Sequence, residues 1–484
     1  MSEFQDILQR LPADQVLVRG DGWRVDCRSF FAQAARAAQE VDRLALDPGA
    51  RVGVYARNSL AYLFLLWALW ARGFVAVLIN RRWPTAQASE LLGLLECQAV
   101  FTECAADWGP VIRGIPVRPM PPVVHGQLVG QAVAELEPFP LPDMDRPATI
   151  LFTTGSTGVP KAVEHRLESH FLNAAGSNEN LPFGPGDTWL ASLAFFHVGG
   201  LAILFRALLG GGALRLCDRP EPAIRKCTDL THISVVPTQL MRWCLEPELV
   251  ARLKCLKAIL LGGAPSPTSL IGECIALDLP LYTTYGSSEM GSQITTTALH
   301  DSAEHWYTGG RLLRHRRLKI DDAGCIWVGG DTLFSRILSL DRGVIDQPAP
   351  EWYRTGDLGI LDEAGYLHLL GREDNMFISG GENISPEEVE SAIMELPGVI
   401  EALVVPVPDE EFGHRPAVFV RFYHGIPIDL PALCARLKER IARFKVPDYC
   451  LPWPDEPPMR GGKLDRHSFR LLALQLIEAQ GLKR

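Results

Sequence analysis

The chain has 484 residues, of which 47% are hydrophobic and 21% are charged. These fractions are those of ordinary globular proteins and exclude a disordered, a collagen-like or a coiled-coil chain. Lys and Arg number 47 against 57 acidic residues, a formal net charge of −10 without a basic run, so nucleic acid is not expected as a partner.

Cysteine usage and hydropathy indicate the compartment. The eleven cysteines are scattered, and none stands in a C-x-x-C pair or in zinc spacing. Such a set favours a reducing environment over a disulfide framework. The polar N-terminus lacks the apolar core of a signal peptide, and the apolar run 60–71 is shorter than the roughly 20 residues that a membrane span needs. We therefore expect a cytoplasmic protein without a membrane span.

The first part of the chain alternates amphipathic helices with short apolar strands. Helices are predicted over 29–46, 60–71 and 87–96, and strands over 51–56, 74–79 and 99–103. A second alternating set places strands at 214–218, 232–237, 257–263 and 281–286. This alternation indicates parallel sheets covered by helices, which is an α/β fold.

Between Trp306 and Leu370 the pattern changes to short strands joined by turns. The tripeptides Asp322-Ala-Gly324 and Glu363-Ala-Gly365 each separate two apolar runs and predict two hairpins. The sequence therefore adds a β-rich subdomain to the N-terminal domain, which we expect to span 1–372.

After Arg372 the chain changes character again. Ser385 is predicted to cap a helix, with Pro386 at its first position and Glu388 three residues after the cap, as in a capping box. Strands over 400–408 and 416–423 and a helix near 430–444 are predicted to follow. We expect a small α+β C-terminal domain, 373–484.

The strongest local motif is a loop of small and hydroxylated residues that follows the apolar stretch 148–152. Its glycines would let backbone N–H groups approach an anion, and Lys161 adds a point charge. The loop suits a triphosphate, although the spacing of a Walker A loop is absent, and its order of residues disfavours the alternative of a plain surface turn. Its residues between the strand and the lysine are Thr153, Thr154, Gly155, Ser156, Thr157 and Gly158.

This loop resembles the signature of the adenylate-forming superfamily, which contains acyl- and aryl-CoA synthetases, luciferases and peptide-synthetase adenylation domains. The resemblance implies that a carboxylate attacks the α-phosphate of ATP, that pyrophosphate leaves, and that a thiol then takes the acyl group. It also implies Mg²⁺ as cofactor, ATP and CoA as co-substrates, and a mobile C-terminal domain that rotates between the two steps. Four further motifs occur in the superfamily's order: Tyr285-Gly-Ser-Ser-Glu289, Tyr353-Arg-Thr-Gly-Asp357, Gly371-Arg-Glu-Asp374 and Gly462-Lys463.

The resemblance implies roles for individual residues. Glu289 would bind Mg²⁺, Asp357 would bind the ribose hydroxyls, and Lys463 would stabilise charge on the α-phosphate and the attacking carboxylate. A solvated carboxylate and a turn cap are the alternatives for the two acids. Asp374 would be the hinge pivot. The implied ATP site is completed by Gly262, Gly263, Ala264, Tyr285, Gly286, Ser288 and Arg372, and the implied CoA tunnel by Ser379, Gly380, Gly381 and Glu382.

Six longer stretches resemble the o-succinylbenzoate–CoA ligases of menaquinone biosynthesis: 232–240, 258–264, 292–294, 378–382, 405–416 and 442–447. The acid of that subfamily carries a second carboxylate, which does not react and needs a partner in an apolar pocket. Arg206 is the one charged residue in 198–209, and the resemblance places a basic residue there; an arginine that snorkels to water is the alternative. His197 would be a gate beside the acyl site, or else a buried structural histidine. Ser292 and Gln293 would also bind the acid.

Three stretches depart from the superfamily's pattern. Residues 309–315 replace G-x-P-L-P-G, Met290 follows Glu289 where a small or β-branched residue is usual, and 333–336 replace M-x-G-Y. These departures are expected to spare the ATP residues and to crowd the acyl site, so the identity of the acid substrate stays open. The alternatives are a ligase for another aryl acid, with CoA or a carrier-protein thiol as acceptor, and a chain that only binds nucleotide or a partner. A homodimer is compatible with the sequence.

Overall fold

The computed structural model describes residues 3–109, 111–123, 140–154, 160–299, 301–340, 345–422, 435–460 and 463–479. Two compact units make up the chain. The first comprises Met1–Ala264, Leu277–Leu318 and Val328–Tyr353, and the second comprises Pro265–Ala276, Lys319–Trp327 and Arg354–Arg484. The domain boundary predicted at 372/373 stays a prediction.

The helices of the first unit cover its sheets. They are α1 (Glu3–Arg10), α2 (Cys27–Asp42), α3 (Leu60–Ala71), α4 (Thr85–Leu94), α5 (Ala105–Trp108), α6 (Leu167–Asn180), α7 (Val198–Gly210), α8 (Pro220–Lys226), α9 (Pro237–Cys244) and α10 (Pro247–Leu253). The second unit contains α11 (Thr268–Ala276), α12 (Pro386–Met394) and α13 (Arg466–Ala479).

The strands of the first unit form two nine-stranded sheets. They are β1 (Val16–Gly20), β2 (Trp23–Asp26), β3 (Arg51–Tyr55), β4 (Val75–Leu78), β5 (Ala99–Thr102), β6 (Val111–Ile112), β7 (Ile115–Pro119), β8 (Pro147–Thr154), β9 (Pro160–Arg166), β10 (Thr188–Leu190), β11 (Ala213–Arg215), β12 (His232–Val235), β13 (Ala258–Leu261), β14 (Leu281–Ser287), β15 (Ser292–Thr296), β16 (Arg311–Leu312), β19 (Arg336–Ser339) and β20 (Ile345–Pro348). One sheet has the order β16-β15-β14-β13-β12-β10-β11-β1-β2, and the other β20-β19-β9-β8-β4-β3-β5-β7-β6. Their central strands are parallel, which confirms the predicted α/β class.

The remaining strands form four small sheets. Strands β17 (Arg317–Ile320), β18 (Cys325–Gly329), β21 (Tyr353–Leu361) and β22 (Leu367–Arg372) make a four-stranded sheet in that order, and it contains both predicted hairpins. The second unit also has the pair β23 (Phe377–Ser379) and β24 (Glu382–Ile384), the three-stranded sheet β25 (Val399–Asp409), β26 (Gly413–Phe422) and β27 (Tyr449–Pro452), and the pair β28 (Met459–Arg460) and β29 (Lys463–Leu464).

Helix α3 shows how the local sequence sets an element. The Ser59 side chain accepts a hydrogen bond from the Tyr62 amide and caps the first turn, and ten of the helix's twelve residues are buried. The core of the first unit surrounds it. Within the part of the chain that the structure describes, no helix is long and apolar enough to cross a membrane.

Some predicted details are wrong. Helix α12 begins at Pro386 after Ser385, as expected, but Ser385 makes no side-chain cap bond. Its hydroxyl bonds instead to the Leu370 carbonyl and the Glu387 carboxylate, while Glu388 pairs with Lys445, so the capping box does not form. Other element bounds shift by at most four residues; α2, for instance, ends at Asp42 instead of residue 46. The helix predicted near 430–444 begins outside the described residues.

Candidate functional site

Two glycines of the implied ATP site lie at the carboxyl end of a buried strand. Gly262 and Gly263 directly follow β13, and the Gly262 amide donates to the Val235 carbonyl at the end of β12 (3.1 Å). A Cβ at Gly262 would lie 2.6 Å from Thr284 Cγ2, so this close approach to β14 requires glycine. Gly263 and Ala264 are exposed. The carboxyl ends of parallel strands are where α/β sheets bind their ligands.

The next motif forms a tight turn between β14 and β15. Tyr285 is buried, and a Cβ at Gly286 would lie 2.2 Å from the Ser292 carbonyl oxygen, so the turn closes only with glycine at that position. Ser292 has a φ of +138°, a region that side-chain-bearing residues rarely occupy. Such backbone strain is often found where a chain presents groups to a ligand.

Glu289 projects from this turn and is half-buried. Tyr353 Oη donates to Glu289 Oε1 (3.5 Å), and the Phe334 amide donates to the Glu289 carbonyl (2.8 Å). The departure at 333–336 therefore lies against Glu289, a residue of the implied ATP site, which these departures were expected to spare. Among the described residues no cluster of His, Cys, Asp or Glu could hold a metal ion alone. A Mg²⁺ ion held by one carboxylate and substrate phosphates needs no such cluster, so Glu289 fits that ion.

Two buried histidines, one on β9 and one on α6, lie next to each other, and the first bonds to the turn that carries Glu289. His165 Nε2 donates to the Ser288 carbonyl (2.7 Å), and His170 Nε2 bonds to Thr149 Oγ1 (2.7 Å). The two rings are 5.2 Å apart. Burial lowers the pKa of His165 to about 4, and it lowers the pKa of His170 well below the usual value. Both side chains are therefore neutral at pH 7.

These histidines predict a loss of stability in acid. In the unfolded chain they bind protons near pH 6.5, whereas folded His165 does so only near pH 4. Protons therefore favour the unfolded state as the pH falls from about 6.5 to 4, by up to about 1.4 kcal/mol per pH unit for each histidine. We expect the free energy of unfolding, measured with urea at pH 7, 6 and 5, to decrease in this window. His165→Gln keeps the donor to Ser288 without titrating and should reduce the slope; an unchanged slope would contradict the assignment.

The hydroxyl-rich loop joins two antiparallel strands. Thr153 pairs with Lys161, and Thr154 pairs with Pro160, at the ends of β8 and β9. The structure therefore places Thr153 and Lys161 next to each other, close to where the predicted phosphate loop begins and ends. The predicted residues Gly155, Ser156, Thr157 and Gly158 lie outside the described residues.

Arg206 lies inside the first unit. It is 1% exposed on α7, and its guanidinium carbon is 4.8 Å from the centre of the Trp189 ring. Nη2 donates to Gln293 Oε1 (2.6 Å), while Nε and Nη1 have no hydrogen-bond partner among the described residues. Burial lowers its pKa to about 9. The snorkelling alternative is wrong, because the charged end of this side chain does not reach water.

Gln293 is the polar group that orients Arg206. Its Oε1 also accepts from Ser177 Oγ (2.7 Å), and its Nε2 donates to Thr296 Oγ1 (2.7 Å). Because a guanidinium only donates, the amide oxygen and not the nitrogen must face Arg206. The predicted pair Arg206 and Gln293 is thus in direct contact, and Ser292 precedes Gln293 on β15.

His197 caps the beginning of the helix that carries Arg206. It is exposed and packs on Phe196, with ring centres 4.6 Å apart, so the alternative of a buried structural histidine is wrong. Nine residues separate it from Arg206, which is about 14 Å along a helix axis. His197 therefore stands at the beginning of α7, whereas Arg206 lies within the helix, four residues before its last residue, Gly210.

The second unit holds Asp357 and Arg372 side by side on β21 and β22. Arg372 Nη1 donates to Asp357 Oδ1 (2.6 Å), and Nη2 donates to Asp374 Oδ2 (3.1 Å). Asp374 is exposed and lies in a 3₁₀ turn, Glu373–Asn375. Asp357, which is proposed to bind the ribose, and Asp374, the proposed hinge residue, therefore both bind Arg372.

The predicted CoA residues form the β23–β24 hairpin. Gly380 and Gly381 have φ of +58° and +88°, which this two-residue turn requires. Ser379 is 2% exposed and its hydroxyl accepts from Arg415 Nη1 (3.1 Å), whereas Glu382 is exposed. Ser379 thus faces the interior of the second unit.

Lys463 begins β29, and its backbone pairs with Arg460 of β28. Gly462, the other residue of this motif, lies outside the described residues.

Sequence reasoning missed the residues that surround the predicted ones. Trp189, Ser177 and Thr296 hold Arg206 and Gln293, and His165 supports the turn of Glu289. None of them stands in a motif with the residue it contacts; Gln293 lies 87 positions from Arg206. An isolated charge in an apolar helix was the signal for Arg206 and the stretch 292–294 was the signal for Gln293, whereas no motif marked the residues around them.

Comparison with known proteins places these features in a family. The family model of AMP-binding enzymes matches residues 4–338, and that of the AMP-binding enzyme C-terminal domain matches 388–463. The chain is 32% identical over 477 residues to a 2-succinylbenzoate–CoA ligase of Bacillus licheniformis, which covers 95% of this chain and 97% of that protein.

The fold is similar to that of solved structures. An o-succinylbenzoate CoA synthetase from Bacillus subtilis, in complex with its acyl-adenylate intermediate, superimposes with a TM-score of 0.82 at 27% identity over 96% of this chain and 97% of that one. The same enzyme with ATP and magnesium ion gives a TM-score of 0.81 at 27% identity, over 96% and 98% of the two chains. The resemblance inferred from the sequence motifs is confirmed: the chain belongs to the family of AMP-binding enzymes.

Proposed function

We propose that the protein is an ATP-dependent, AMP-forming ligase that activates o-succinylbenzoate and transfers the acyl group to CoA, a step of menaquinone biosynthesis. The observation that carries the proposal is the buried guanidinium of Arg206. Two of its donor nitrogens have no partner among the described residues. Relatives of the protein that are named as 2-succinylbenzoate–CoA ligases match this chain over almost its whole length.

The charge of Arg206 selects the kind of acid. A buried cation without a counter-ion is costly, and a carboxylate that donates no proton and accepts two hydrogen bonds offsets that cost. o-Succinylbenzoate has one such group to spare, because only its succinyl carboxylate reacts. An aryl acid with a single carboxylate would leave the guanidinium unpaired. The site therefore favours a diacid over the alternative of a simple aryl acid.

The reaction proceeds in two steps. The succinyl carboxylate oxygen attacks the α-phosphorus of ATP, and the bond to pyrophosphate breaks. The thiol sulfur of CoA then attacks the acyl carbon, and AMP leaves with the bonding electron pair. In the first step the enzyme positions the two reactants and stabilises the charge that develops on phosphate.

Lys161 and the hydroxyl-rich loop bind the phosphates, and Lys463 stabilises the charge at the α-phosphate. The Glu289 carboxylate would hold Mg²⁺, which neutralises phosphate charge when bound. Asp357 and Arg372 bind the ribose side, His197 gates the acyl pocket, and Ser292 and Gln293 line it. The other proposed ATP residues are Thr153, Thr154, Gly155, Ser156, Thr157, Gly158, Gly262, Gly263, Ala264, Tyr285, Gly286 and Ser288. The proposed CoA residues are Ser379, Gly380, Gly381 and Glu382.

Cytoplasmic location and a homodimer also remain proposals. The first is supported by the ten cysteines of the described part of the chain, all of which are free.

The hinge role of Asp374 predicts a separation of the two half-reactions. Asp374→Pro fixes φ near −65°, a value that suits its present 3₁₀ turn, and so resists rotation away from it. We expect adenylate formation to persist while CoA transfer falls at least about tenfold. Asp374→Ala is the matched control, because it also loses the bond to Arg372 but leaves φ free. Normal transfer in the proline variant would remove Asp374 from the hinge.

The proposed function is tested by acid-dependent exchange of pyrophosphate into ATP. The acids are o-succinylbenzoate, its analogue without the ring carboxylate, benzoate and succinate. We expect exchange to be fastest with o-succinylbenzoate. Faster exchange with another aryl acid would reassign the substrate, and a complete lack of exchange would leave a chain that only binds nucleotide.

A further inference from the structure

A second buried arginine lies beside the first. Arg316 is 5% exposed, and it follows the stretch 309–315 that departs from the family's pattern. Burial and the positive charge of Arg206 both lower its pKa, to about 9 in total. Arg316 forms no ion pair among the described residues, which is uncommon for a buried arginine.

The guanidinium of Arg316 instead bonds to main-chain carbonyls of three segments. Nε donates to Gln293 (3.0 Å), Nη2 to Asn173 (2.9 Å) and Nη1 to Arg314 (2.6 Å). It therefore ties β15 to helix α6. A lysine could not make these three bonds at once, because its donors radiate from one nitrogen.

Helix α6 leaves room for this side chain. A Cβ at Gly176 would lie 2.3 Å from Arg316 Nη1 and 2.7 Å from the Arg314 carbonyl oxygen. Glycine in the middle of a helix is unfavourable relative to alanine, so its presence here matches the close passage of the arginine. Asn173, about one helical turn before Gly176 on α6, donates from Nδ2 to the carbonyl of Met290 (3.0 Å). Helix α6 therefore also binds the turn between β14 and β15.

The two arginines meet at one residue. Arg316 holds the main-chain oxygen of Gln293, and the side-chain oxygen of Gln293 holds Arg206. Any shift of β15 at Gln293 would move the amide that orients Arg206. We infer that Arg316 is a positioning residue: it fixes the main chain of Gln293 so that Arg206 presents its unpaired donors to the second carboxylate of the acid. This inference rests on the proposed function.

The test measures preference between two acids. The quantity is the ratio of kcat/KM for o-succinylbenzoate to kcat/KM for its analogue without the ring carboxylate. Arg316→Met should lower this ratio about tenfold, the loss expected when one hydrogen bond to a charged group is misplaced. The KM for ATP should stay unchanged. A merely structural arginine would lower both kcat/KM values equally and leave the ratio as it was, which would overturn the inference.

Three further variants sharpen the result. Arg316→Lys keeps the buried charge, so it carries the test if the methionine variant fails to fold; we expect a smaller loss, of about threefold, in the ratio. Arg314→Met removes an exposed neighbour that pairs with Glu179 and should leave the ratio unchanged. In a Gln293→Met background, Arg316→Met should have no additional effect on the ratio, because the path through Gln293 is already broken. If the effects of Gln293→Met and Arg316→Met on the ratio were fully additive, Arg316 would not act through Gln293.

The preference of the wild-type enzyme between the two acids distinguishes a failure of the proposed function from a failure of the inference about Arg316. If it does not prefer o-succinylbenzoate, the proposed function fails. If it has this preference and both Arg316 variants retain it, the positioning role alone fails.

Discussion

Replacing Arg206 by alanine should lower kcat/KM for o-succinylbenzoate by about 10- to 1000-fold. Removal of one partner of a buried ion pair costs roughly 3–5 kcal/mol, and loss of a hydrogen bond in a wetter pocket costs roughly 1–3 kcal/mol. At about 1.4 kcal/mol per factor of ten, the middle part of these costs, roughly 1.4–4.2 kcal/mol, gives the expected range. The analogue without the ring carboxylate should lose its disadvantage in the variant. Steady-state kinetics with both acids measures the effect, and the KM for ATP should change little.

Two control variants separate recognition from folding. Arg215 is also buried, but it pairs with Asp21 and Asp229, so Arg215→Met should lower stability and leave the preference between acids intact. Arg206→Met should not lower the melting temperature, because it removes a buried charge that has no carboxylate partner among the described residues. If Arg206→Ala turns over o-succinylbenzoate normally, Arg206 is not the partner of its second carboxylate.

Replacing Lys463 by alanine should slow acyl-adenylate formation at least ~100-fold. This loss is typical when a donor that stabilises developing charge is removed. Transfer from preformed adenylate to CoA should be much less affected, because Lys463 is proposed to leave the site when the C-terminal domain rotates before that step. The two half-reactions are measured separately, by single-turnover pyrophosphate release in the absence of CoA and by thioester formation from preformed adenylate. Lys445→Ala, which removes a lysine paired with Glu388 in the same unit, is the matched control. Equal losses in both half-reactions would contradict the rotation.

Elements with strong local signals could be predicted from the sequence. Helix α3 has the predicted bounds because Ser59 caps it and Arg72-Gly73 interrupts the apolar run. The hairpin between β21 and β22 closes at Gly365, whose φ of +83° suits the predicted turn. In both cases the deciding residues are adjacent in sequence, so no knowledge of the tertiary structure is needed.

Details that depend on distant partners could not be predicted. Ser385 follows the rule for a helix cap, yet its hydroxyl bonds to the Leu370 carbonyl, 15 residues away, and to the neighbouring Glu387 carboxylate. Ser379 is buried, and the partner of its hydroxyl is Arg415, 36 residues away.

The same limit applies to the residues of the proposed acyl pocket. Arg206 was predictable as an isolated charge in an apolar helix, whereas the contribution of Arg316 was not. Its contacts to α6 lie up to 144 residues away. Local propensity carries no information about such contacts, which depend on how α6, α7 and β15 pack together.

The central claim is that this enzyme joins o-succinylbenzoate to CoA through an acyl-adenylate. The most direct measurement is the identification of all products by mass spectrometry after the purified chain is incubated with o-succinylbenzoate, ATP, Mg²⁺ and CoA. We predict the monothioester of o-succinylbenzoate and CoA, with one AMP and one pyrophosphate formed per thioester. Formation of ADP, or release of AMP without any thioester, would contradict the account.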